Sequence, residues 1–162
     1  MPLIAEEAGV AVGSLYRYYA NKEELVARLY ADNYRRLAEE LGRVQSAERS
    51  THDKIAAMAH FICGFFDREW DLARFLLLEQ HMRLKNYDGL ANPVDIVCHV
   101  VADGIRDGDL RSLEPMLAAA LVMGPVIQAA TFRTYGRLTG PLSEVADEIV
   151  CGIWAAVAKQ GE

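Results

Sequence analysis

No stretch of this sequence alternates apolar and polar residues at period two for long enough to make a sheet, while apolar positions recur at helical spacing throughout. That restricts the chain to an all-α fold. Asn21 with Glu24 three residues on has the form of a capping box, and Leu25, Leu29, Tyr34, Leu37 and Leu41 carry a helix on to Gly42. Ile55, Met58, Ala59, Ile62, Phe65 and Phe66 mark a second helix. Asp71 starts another, with Leu72, Phe75, Leu76 and Met82 turned inward. Pro93 suits the first turn of the next, which Gly108 ends. Two longer helices, roughly 114–138 and 143–159, close the chain, the first kinked at Pro125. The segments RVQSAERST, KNYDGLANP and DGDLRSLEP read as connections.

Length and charge bound the rest. The 162 residues suffice for one domain with a small appended unit, and 52% hydrophobic content with 25% charged residues suits a globular core. A net charge of −6 excludes a surface that wraps nucleic acid uniformly, but leaves room for a local basic patch. Cys63, Cys98 and Cys151 are far apart in apolar helical stretches, which implies buried, reduced thiols in a cytoplasmic protein. Glu6 and Glu7 interrupt the position where a secretory signal would need an apolar run. The uncharged run 115–132 approaches the length of a membrane span. Its alanine content and central Gly124-Pro125 fit a buried or subunit-facing helix better, so no membrane partner is expected.

The opening segment, IAEEAGVAVGSLYRYYANKEEL, carries the functional signal. Ala5 is small enough for a second helix to approach. Gly9 supplies the positive φ that ends the first helix, and Leu15 fills the gap between the two, as in a helix-turn-helix. Ile4, Ala8 and Val10 complete the apolar side. Ser14, Arg17, Tyr18 and Lys22 then lie along the outer face. Arginine can pair with guanine edges, while tyrosine hydroxyls, lysine and a helix N-terminus suit phosphates. Lys22 in a first turn opposes the helix dipole, a conflict that a bound anion relieves. The alternative for each of these residues is an ordinary solvated side chain.

This segment resembles the recognition region of TetR-family transcriptional regulators in its "IA–AGV" helix, its "LY–Y" helix and the "NKEEL" opening of the connecting helix. The resemblance covers about the first 40 residues; the body fits by helix order and length. It implies a helix-turn-helix DNA-binding region with its connecting helix over 1–43 and a ligand-binding and dimerisation domain over 44–162. It further implies a homodimer on double-stranded operator DNA. Ser14 and Arg17 would face bases, Tyr16, Tyr18 and Lys22 phosphates, and Tyr19 takes the buried aromatic position. Two departures stand out. Ala11 occupies the place of a capping serine, a loss of about 1 kcal/mol. The family also carries a helix ahead of the position of Ile4, so the expected head is incomplete.

In the body, aromatic residues concentrate between His60 and Tyr87, with Met58, Met82 and Met123 as adaptable surface. A plain helical core accounts for this pattern. So does an apolar cavity for a small hydrophobic effector, which the resemblance favours, with Phe61, Phe65, Phe75, Glu79, Met82 and Met123 as its candidate residues. Leu121, Val122, Ile149, Ile153 and Trp154 on the last two helices are the expected dimer interface, in a four-helix bundle with isologous symmetry. The histidines lack metal-binding spacing, and no nucleophile–base pair or phosphate loop is present. Neither a metal, a cofactor nor a catalytic residue is expected. The leading function is a ligand-released transcriptional repressor. The alternative is a dimeric small-molecule-binding module without DNA-binding activity.

Overall fold

The computed structural model describes residues 1–83 and 92–159, without the side chains of 81–83. Eight α-helices lie in this range, with no strand among the described residues. Helices α1 (Pro2–Glu7) and α2 (Val12–Tyr18) form the head. Between them the chain reverses through Gly9, at φ +65°. The Val10 N–H donates to Ala5 O at 2.9 Å and the Gly9 N–H to Glu6 O at 3.1 Å. These two bonds satisfy carbonyls that the short helix leaves open, and any side chain at Gly9 would be strained.

Helix α3 (Lys22–Ser46) is the long connector. Asn21 Oδ1 accepts from the Glu24 N–H at 2.8 Å, and Glu24 Oε2 accepts from the Ala20 N–H at 2.7 Å, one residue earlier than in a standard capping box. The helix does not stop at Gly42. Gly42 does not take the positive φ that ends a helix, and a Cβ there would stand 3.8 Å from Ile96 Cδ1, an ordinary packing contact.

Helix α4 (Thr51–Arg68) runs through the body and packs against α3, α5 (Trp70–Arg83), α6 (Pro93–Asp107), α7 (Pro115–Thr134) and α8 (Ala146–Val157). Its inward residues Ile55, Met58, Ala59, Cys63 and Phe66 are buried among Val97 and Val101 of α6, Val122 and Val126 of α7, and Ile153 and Val157 of α8. Gly104 lets α6 close on α4: a Cβ there would meet Thr51 Cγ2 at 2.5 Å. Pro125 interrupts the backbone ladder of α7 without ending the helix. The final segment begins as a 3-10 turn, Leu142–Val145, because Asp67 of α4 accepts the Leu142 and Ser143 N–H groups, each at 2.9 Å. Asp67 also pairs with Arg133 of α7, whose guanidinium lies 4.9 Å from the centre of the Trp70 ring. One carboxylate of α4 thus ties in two further elements, α7 and the 3-10 turn. Its burial favours the neutral acid, but hydrogen bonds from Ser143, Leu142 and Arg133 outweigh that and hold its pKa at about 2.

Candidate nucleic-acid interface and effector cavity

Helix α2 presents Ser14, Arg17 and Tyr18 to solvent, and Lys22 is exposed at the first turn of α3. Tyr16 is also exposed, about half a turn of the helix away from Tyr18. No side chain of the head covers any of the five. Tyr19, expected to be buried, is only half-buried, and the Arg28 guanidinium lies 6.0 Å from its ring centre. Ala11 offers no side-chain acceptor to α2. The two head helices pack chiefly on each other. Ala5 is the one buried residue in 1–21, while Leu3 and Val10 lie exposed.

The body holds an apolar cavity of about 90 Å³ between α3, α4, α5, α6 and α7. Leu37 and Leu41 of α3, Met58 and Phe65 of α4, Leu76 of α5 and Met123 of α7 are among its walls. Among the described residues of its lining, Gln80 and Tyr34 carry polar groups, an amide and a hydroxyl. That hydroxyl donates to Asn92 Oδ1 at 3.3 Å, and Asn92 in turn caps α6 by accepting from the Val94 N–H at 2.9 Å. Of the six residues expected at an effector site, Phe65 and Met123 line this cavity. Phe61 does not; it lines a neighbouring groove and stacks on Phe65 with ring centres 6.4 Å apart. Phe75 packs edge-on against Tyr30, and Glu79 is outside the lining. The side chain of Met82 lies outside the described residues, as do those of His81 and Tyr87. Tyr34 and Gln80 escaped sequence reasoning. In the sequence Tyr34 reads only as an apolar-face position of α3, and nothing in its surroundings singles out Gln80.

The last two helices turn other residues outward than expected. Val122 and Ile153 are buried within the subunit, at 5% and 0% exposure, so neither is available to a partner. Leu121, Ile149 and Trp154 are half-buried, and Trp154 stands edge-on to His52. The outward stripe consists instead of Leu117, Ala120, Gly124, Gln128 and Phe132 on α7 with Glu148, Cys151, Gly152 and Ala155 on α8. Val122, Val126, Val150, Ile153 and Val157 went to the core, while small residues three and four apart, Gly152 with Ala155 and Ala120 with Gly124, face out beside the exposed Leu117 and Phe132. That small-residue spacing was the readable signal. By length and composition α7 is long and apolar enough to cross a membrane, but one side of it is packed in the core.

The cysteines also divide. Cys63 is buried and Cys98 half-buried, whereas Cys151 is exposed on that stripe, contrary to the expectation of three buried thiols. Burial, helped by the charge of Asp67, pushes the Cys63 thiol up to about 11, so it stays protonated and inert at neutral pH. Among the described residues no group of three or more His, Cys, Asp or Glu side chains is arranged to hold a metal ion.

The opening segment and the fold both have counterparts among known proteins. Residues 1–29 match the family model described as bacterial regulatory proteins, tetR family. The fatty acid metabolism regulator protein of Bacillus subtilis (strain 168) is 25% identical over 134 residues, spanning 79% of this chain and 69% of that protein. The fold is similar to that of a TetR family transcription regulator from Marinobacter aquaeolei VT8. The TM-score is 0.78 at 18% identity, covering 97% of this chain and 83% of that one. It is also similar to the transcriptional regulator FadR from Bacillus subtilis in complex with stearoyl-CoA, with a TM-score of 0.67 at 19% identity, covering 93% and 84%.

Proposed function

We propose that this chain, whose residues 1–29 match the tetR family of bacterial regulatory proteins, is a transcription regulator of that family, a repressor released from operator DNA by a long-chain hydrophobic effector. One observation carries the reading: a single helix, α3, has Lys22 at its first turn and Tyr34, Leu37 and Leu41 in the wall of the apolar cavity. At 25 residues it is a rod of about 37 Å. Whatever widens the cavity displaces the rod that carries the head.

Two subunits pack through the outward faces of α7 and α8, where Gly124, Gly152 and Ala155 permit close approach of the helices. Arg17 and Ser14 then read bases, while Tyr16, Tyr18 and Lys22 hold phosphates. Paired heads must meet half-sites about one turn of DNA apart, so a small change in their separation breaks double engagement. The effector favours the DNA-free arrangement by its difference in affinity for the two states. The apolar lining of the cavity and the stearoyl-CoA bound to the Bacillus subtilis regulator of similar fold both support an acyl chain as the occupant.

Fluorescence anisotropy with the DNA upstream of its own gene tests this. Affinity is expected to fall with added salt, to fall about tenfold or more in Arg17→Ala and Lys22→Ala, and to fall again when oleoyl-CoA is added to the wild type. Binding that ignores salt and both substitutions would leave only the small-molecule module.

A further inference from the structure

The cavity alone is small. Sites for small organic ligands occupy roughly 300–1,000 Å³, several times its volume of about 90 Å³. On the outer side of its wall lies a second space, a groove of about 270 Å³ between α3, α4 and the start of α5. Leu37 and Phe65 line both spaces. The partition is therefore these two side chains, and Phe65 is only half-buried.

The groove differs in chemistry from the cavity. Its floor is Phe61, Phe65 and Leu72, and its rim holds Arg36, Arg68, Glu40 and Glu69 with Asn33. Arg43 holds the Glu40 carboxylate at 2.9 Å, which compensates that charge. Among the described residues neither Arg36 nor Arg68 forms an ion pair, so two guanidinium groups face one uncompensated carboxylate. Gly64 gives Arg68 space to fold back along α4; a Cβ there would meet its Nη1 at 2.7 Å.

We propose that cavity and groove are one site for an anionic amphiphile, its chain in the cavity and its head on Arg36 and Arg68. This rests on the cavity being the effector site. The head is an anion that guanidinium groups can bind, either a carboxylate or the phosphates of a nucleotide thioester.

Isothermal titration of the whole protein with oleate, oleoyl-CoA and oleyl alcohol tests it. The double substitution Arg36→Ala/Arg68→Ala is expected to weaken at least one anionic probe about tenfold or more and to leave the alcohol within twofold. Loss confined to oleate assigns the carboxylate; loss confined to oleoyl-CoA assigns the phosphates. Arg36→Lys/Arg68→Lys, which keeps the charge, is expected to recover part of the affinity. Equal affinity for both anionic probes in wild type and double variant, or an equal loss for the alcohol, would overturn the shared site. Filling the cavity by Ala59→Leu, or independently by Ala73→Leu, is expected to weaken all three probes. If binding survives both fillings, the effector reading itself fails, whatever the arginine variants do.

Discussion

Residues 1–21 bury Ala5 alone, whereas the body from α4 onward packs a continuous core in which Cys63, Val101, Ala118, Ala130, Ile153 and Val157 are wholly inaccessible. The head has the side chains that would meet DNA and little to hold them. The body has a large core and a small hollow within it. In a thin two-helix unit almost nothing competes for a side chain, so outward residues are legible one by one. In a thick bundle the same apolar residue can serve the core, a cavity or a partner, and its identity does not say which.

The largest expected effect breaks that comparison if it fails. Ile153→Ala removes buried methyl groups at the junction of α8 with α4 and should cost about 2–5 kcal/mol. Leu3→Ala in the head, where Leu3 is 76% exposed, should stay within about 0.5 kcal/mol. Urea denaturation with an unchanged slope measures both. Comparable costs would mean that the head is held by more than its own two helices.

A smaller effect sharpens the account of the body. The Asp67 carboxyl is held at about 2, below its ordinary 3.8, so folding favours its charged form. That stabilisation is present in full above about pH 4 and is lost as the pH falls through about 2. A difference of this size corresponds to about 2 kcal/mol. Asp67→Asn should therefore lower stability by about that amount at pH 7. It should also flatten the decline of stability between pH 4 and pH 2 relative to wild type. An unaltered acid limb would show that the junction of α4, α7 and the 3-10 turn does not depend on this charge.

The same contrast explains what could be read from the sequence. The helices, the glycine reversal, the Asn21 cap and the outward side chains of α2 are local properties, set by spacing and by individual side chains, and they were legible. The end of α3 was not, because Gly42 reads as a stop, whereas its backbone stays out of the positive-φ region and the helix runs on to Ser46. Val122 reads as a partner's surface because the uncharged run 115–132 gives no signal of which side is covered, and Ile153 because α8 carries apolar residues enough for both a core and a partner. The Asp67 junction was invisible, since its partners Arg133, Leu142 and Ser143 stand 66, 75 and 76 residues away.

The smallest effect is expected at the boundary between the two regions. Asn21 is exposed and its side chain makes a single capping bond, so Asn21→Ala should cost about 1 kcal/mol. The rest of α3 is anchored by Tyr30, Tyr34, Ala38 and Leu41, which keeps that loss local to the first turn. Global unfolding should barely move, while hydrogen exchange at the Glu24 amide, released from its acceptor, should accelerate about fivefold. Lys22 sits in the same turn, so DNA affinity should fall severalfold even though no residue facing DNA has changed. Asn21→Asp restores an acceptor and should recover both readouts. Loss of DNA affinity in Asn21→Ala without faster exchange at Glu24 would mean that Asn21 acts on the DNA itself, and the boundary between head and body would have to be drawn one residue later.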